Sequence, residues 1–155
     1  MKLLRHLIAI AFIAAPTIAG AGEQTGAKAE CAANQMAADL QLLQGTWEGV
    51  DVGDPAQQKI TITIAGHSLR FYRDKMFWFD TTFTLPAGKD PKQLHATIEE
   101  SANGDSKGEL VGAIFKIEDG TFTLASYGSN HDDPPKAFAS YPSRYVLKKQ
   151  VPPGK

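Results

Sequence analysis

Cysteine is almost missing from this chain. Cys31 stands alone among 155 residues, so no intrachain disulfide closes a loop and no Cys-x-x-Cys metal or redox pair exists. Net charge is nearly missing too. Sixteen Lys and Arg against 17 Asp and Glu leave −1, which gives no long-range attraction towards nucleic acid or anionic lipid. Long apolar runs are lacking: the longest, Leu7 to Ala15, falls well short of the roughly 20 residues that cross a bilayer as a helix. There is no G-x-S-x-G nucleophile elbow, no phosphate-cradling glycine loop and no paired histidine spacing. These absences leave no motif on which an enzyme, a cofactor or a metal could be placed.

What is there begins with a leader. "MKLLRHLIAIAFIAAPTIAGA" has Lys2 and Arg5 at its front, the apolar run behind them, and Ala19-Gly20-Ala21 as an A-x-A cleavage site. Residues 1–21 are therefore expected to be a signal peptide, with a retained N-terminal anchor as the alternative, and the mature protein to be periplasmic or extracellular. Losing two of 16 basic residues and none of 17 acidic ones would leave a mature net charge of −3. Lipidation at Cys31 is disfavoured by Glu30 at the cleavage position, which leaves a free thiol or an intermolecular disulfide. Gly22 to Met36, rich in Ala, Gly, Gln and Glu, reads as a flexible tether that can fray into helix. One domain follows at 37–150, and 151–155 is a tail.

Within that domain, "AADLQLL" (Ala37 to Leu43) gives a short helical turn with Leu40 and Leu43 on one face. After Gly45 everything runs in period two. "KITITIA" sets Ile60, Ile62 and Ile64 against Thr61 and Thr63, a strand with one dry face. "MFWFDTTFTL" puts Phe77, Phe79, Thr81, Phe83 and Leu85 on one face and Trp78, Asp80, Thr82 and Thr84 on the other. In all, eight strands start near Trp47, Ile60, Leu69, Met76, Leu94, Leu110, Phe122 and Arg144. Their connections are short, and the Asp119-Gly120 step suits a hairpin turn with positive φ. With no helix between strands, the pattern predicts an all-β fold: an eight-stranded antiparallel up-and-down barrel, with an open sandwich as competitor. One connection is long. "YGSNHDDPPKAFASYPS", Tyr127 to Ser143, carries three prolines and three aromatic residues and is expected to act as a lid or plug.

Gly45-Thr46-Trp47 after the helical turn resembles the G-x-W signature that opens the first strand of lipocalins. The chain is also similar, from Leu40 to Lys149, to a family of small exported bacterial lipocalin-like proteins of planctomycete type without assigned function. The shared pieces are "LQGTW", "PKQLHATI", "GAIFKIEDGTFTLA", "PPKAF" and "YVLKK". The resemblance implies a lipocalin-like barrel in which the Trp47 ring closes one end under a cation, with Arg144 at the start of the last strand as the matching residue. A T-D-Y-like segment and a long C-terminal helix are lacking, and the strands are short, which speaks against a roomy cup.

Phe77, Phe79, Phe83, Phe115 and Phe122 fall on predicted inner faces. They either fill a small barrel or line an apolar pocket for a small hydrophobic ligand, with Tyr127 and Phe138 of the long loop covering it. No inward Arg or Lys is evident to hold a carboxylate; Arg70 and Arg73 are expected outward, although a one-residue register error would reverse them. His67 is placed in a turn, His95 on an outer face, and His131-Asp132-Asp133 in the loop as a solvated cluster and not a metal site. Glu99 and Glu100 should point to opposite faces and so make no acid–base couple. Trp78, with Tyr72 and Met76, forms a candidate outer patch for a protein partner. Two readings follow: an exported barrel that binds a small apolar ligand, or an envelope interaction module with a solid core. A barrel enzyme would require an inward polar cluster that the pattern does not contain.

Overall fold

In the computed structural model, residues 23–139 and 143–151 are described. The leader at 1–21, Tyr141 of the long loop and the tail from Pro152 onward lie outside them. A helix comes first, α1 (Glu23–Leu43), followed by β1 (Gly45–Asp51), β2 (Lys59–Ala65), β3 (Ser68–Asp74) and β4 (Phe77–Thr84). The second half holds β5 (Lys92–Ser101), β6 (Leu110–Glu118), β7 (Thr121–Ser126) and β8 (Ser143–Lys149). Each strand pairs antiparallel with its neighbours in sequence, and β8 returns to β1, so the eight form a closed barrel with no free edge.

The alternation seen in the sequence produces this ring directly. Ile60, Ile62 and Ile64 are buried while Lys59, Thr63 and Ala65 are exposed. The β6–β7 hairpin turns on Asp119 and Gly120, both with positive φ (49° and 68°), whose twist matches the flanking strands. Closure between β1 and β8 depends on Gly49. A Cβ there would lie 1.9 Å from the Val146 carbonyl oxygen, so only glycine lets the two strands approach.

Helix α1 is longer than the turn expected at Ala37–Leu43, and it includes 23–36, where a tether was expected. Alanines give this stretch good intrinsic helix propensity even though Ala27 to Met36 is almost entirely exposed, with only Ala32 half-buried. Its C-terminal end is fixed to one end of the barrel. Leu43 is fully buried, and Lys92 Nζ lies 2.6 Å from Asp39 Oδ1. The Gln44 amide bridges the helix to the β2–β3 turn, donating to the Leu40 and Gly66 carbonyls and accepting from the Gly66 N–H. Gly45, at φ 111°, turns the chain from helix into β1.

Trp47 lies just inside this closed end. Its indole N–H donates to the Leu43 carbonyl at 2.8 Å, its ring centroid is 5.2 Å from that of Phe122, and it is 1% exposed. The cation over its ring is Lys149, with Nζ 5.2 Å from the centroid, and not Arg144. The reason is strand direction: β8 runs antiparallel to β1, so its last residue, Lys149, pairs with Trp47, whereas Arg144 starts β8 at the far end near Asp51. Arg144 instead donates to the Phe138 carbonyl at 3.1 Å.

Candidate functional site

At the opposite end the barrel is not filled. A cavity of about 420 Å³ occupies its mouth half, within the range of roughly 300–1,000 Å³ of small-molecule sites. Side-chain size explains the space. The inner wall on β5 and β6 carries Ala96 and Ala113, and Thr81 and Ser126 hold inward positions on β4 and β7. Facing residues of this size leave a gap that larger ones would close. A second depression of about 190 Å³ lies around Thr82, Thr84 and His95, and a third of about 100 Å³ between α1 and the β4–β5 loop. Neither is as large.

The aromatic residues divide along the barrel axis. Phe77 and Phe79 line the cavity, as the alternation of β4 predicts, and Tyr127 stands at its rim. Phe115 and Phe122 belong to the closed half, their rings 6.4 Å apart beneath Trp47. Phe83 is buried in the core and reaches only the shallow depression beside His95. Phe138 lies outside the barrel, its ring 5.6 Å from Lys116 Nζ. Phe71 and Tyr145 join the lining although neither was picked out in the sequence. Phe71 is the hub of an edge-packed group, 5.8 Å from Phe77, 6.2 Å from Phe79 and 5.2 Å from Tyr145. Their period-two positions in "SLRFYR" and "SRYVLKK" carried that signal.

The long loop does two things. Tyr127, Gly128, Ser129 and His131 contribute to the cavity wall at its mouth. The chain then crosses onto the outside of the barrel. His131 pairs with β6 through Gly112 N–H to His131 O at 2.5 Å and His131 N–H to Leu110 O at 3.0 Å. Ile114 and Ala125, which point away from the interior, are nonetheless fully buried. They sit between Gly112, under Asp132 and Pro134, and Lys116, beneath Phe138. The described part of the loop thus forms part of the cavity rim and continues as an outer strap.

Polar groups are few inside. The Thr81 hydroxyl donates to the Leu69 carbonyl at 2.9 Å. Burial pushes the Tyr145 phenol above its ordinary value of 10.0, a hydrogen bond with Ser143 opposes that rise, and Asp51 adds to it. Arg73 is the extra residue of a bulge between Tyr72 and Asp74, which turns it towards the rim; its guanidinium stacks 3.8 Å from the Phe77 centroid and its Nε lies 3.0 Å from Asp74 Oδ2. The Met76 backbone N–H and then Arg73 hold Asp74 below the usual carboxylate value. Arg70 is outward, with a bidentate pair to Asp80 at 2.7 Å. A second bulge at Glu99 lets Glu99 and Glu100 both face solvent, against the strict alternation expected of neighbours. The His131, Asp132 and Asp133 side chains are exposed, and among the described residues no group of three His, Cys, Asp or Glu could hold a metal ion. Nor is any helix of the described residues long and apolar enough to cross a membrane.

No family model, no curated protein and no solved structure matches the chain.

Proposed function

We propose that this protein is an exported lipocalin-like barrel that takes a small apolar molecule into the mouth of the barrel, under the Tyr127–His131 part of the loop. One observation carries the reading: the cavity is walled by Leu69, Phe71, Phe79, Ile98 and Leu124, with Tyr127 to His131 of the loop at its mouth. Burying an apolar molecule there contributes roughly 25 cal/mol per Å² of surface removed from water, enough for useful affinity without any charged contact. The leader and the G-x-W resemblance support export and the lipocalin-like family. Native mass spectrometry of the protein, gently purified from its producing cells, tests the proposal. A recurrent mass adduct released by organic solvent is the expected result; an always empty barrel that also refuses every apolar dye would overturn it.

The second reading is an envelope interaction module acting through the outer face of β3 and β4. It draws on Met76 and Tyr72, 81% and 42% exposed beside half-buried Trp78. Trp78→Ala separates the two: loss of a captured envelope protein with unchanged dye binding favours the outer face.

A further inference from the structure

The chemistry of the cavity wall limits what it can hold. Among the described residues no Asp, Glu, Lys or Arg lines it, and the titratable groups among them are His131, Tyr127 and Tyr145. The Arg73 guanidinium is occupied by Asp74 and by the Phe77 ring and does not belong to the lining. An ionised head group drawn inside would lose its hydration with no counter-charge to replace it. Against this apolar background one buried hydroxyl is left open. Ser126 is 6% exposed and points inward from β7, and its hydroxyl makes no hydrogen bond among the described residues. The buried Thr81 hydroxyl, by contrast, is engaged with the Leu69 carbonyl. Buried hydroxyls almost always have a partner, so an open one facing a cavity marks where a ligand atom belongs. The opposite wall is Phe71, Phe77 and Phe79.

Resting on the ligand-binding reading above, we infer that the ligand is an uncharged apolar molecule with one hydrogen-bonding group, a hydroxyl or carbonyl, seated on Ser126, its hydrocarbon against the three phenylalanines. Carboxylates of the same length are rejected. Ser126 can donate to a carbonyl or accept from a hydroxyl, so both groups satisfy it.

Displacement of the neutral dye N-phenyl-naphthylamine by three compounds tests this at about pH 8, where a free carboxylic acid is ionised. The compounds are decanol, decanoate and butylbenzene, and the proteins are wild type and Ser126→Ala. Decanol is expected to bind at least about tenfold more tightly than decanoate. Ser126→Ala should weaken decanol about three- to tenfold, the ordinary effect of one lost hydrogen bond, and leave butylbenzene unchanged. Decanoate binding as well as decanol, or equal decanol affinity in the two proteins, overturns the inference while leaving the ligand-binding reading intact. Failure of the dye and all three compounds to bind overturns both.

Discussion

Gly112→Ala should unfasten the outer strap of the loop without unfolding the barrel. A Cβ at Gly112 would lie 2.2 Å from the Asp132 carbonyl oxygen and 2.7 Å from the Pro134 nitrogen, both backbone atoms that cannot rotate away. Ordinary contact requires about 3.4 Å or more, so the strap must retreat by roughly an ångström. That movement breaks the two backbone hydrogen bonds joining His131 to Leu110 and Gly112. At roughly 1 kcal/mol each, their loss raises the open population of the loop about thirtyfold. The β6 ladder itself does not use the Gly112 side-chain position, and alanine is no worse than glycine in a strand, so the melting temperature should fall little. Hydrogen–deuterium exchange of 129–137 and stopped-flow release of a bound neutral dye read the effect. Exchange of that segment should accelerate by at least tenfold, and dye release with it. Wild-type exchange and release rates in the variant would refute the strap, because the clash leaves no way to keep the loop where it is.

Other residues give equally direct expectations. Trp47→Ala should cost about 3–5 kcal/mol in urea unfolding, since it empties a fully buried site and strands the Leu43 carbonyl; Trp47→Phe should cost about 2 kcal/mol, and a loss below about 1 kcal/mol for the alanine variant would reject the plug role. Replacing Gly49 with Ala should prevent β1–β8 closure and leave little soluble barrel; a normal circular dichroism melt would contradict it. For Tyr145 the sign is alkaline. The folded-state pKa lies above the unfolded one, so the unfolded chain releases its proton first and stability falls as pH climbs from about 10 through the folded value. Tyr145→Phe should flatten that alkaline limb, checked by melts across the range.

Much of the barrel was legible because it depends on period two. Ile60, Ile62 and Ile64, and the inward set of β4, point where the alternation puts them. The place of Trp47 at the closed end was implied by the G-x-W resemblance and not by the period, and the ring is buried there. What the pattern hides is anything set by strand direction or by departures from the period. Arg144 and Lys149 are both basic residues of the last strand, and only the antiparallel register decides which lies over Trp47. Glu99 and Arg73 sit in bulges, which shift the side-chain faces that counting assumes. Phe138 carries no periodic signal, because the path of a loop over an outer face follows from gaps such as Gly112 and not from its own composition. The cavity was half visible: Ala96 and Leu94 could be assigned inward, but the space they leave depends on what faces them across the ring.

Ligand uptake requires the unfilled, largely apolar mouth half, and blocking it is the most direct test. Ala113→Phe places a ring in the cavity from a position whose neighbours leave room for it. Titration with N-phenyl-naphthylamine should give saturable one-to-one binding to the wild type and none to this variant, with both giving the same β-sheet circular dichroism spectrum. Equal dye binding by the two proteins would mean that the apolar site lies elsewhere, and would contradict the account.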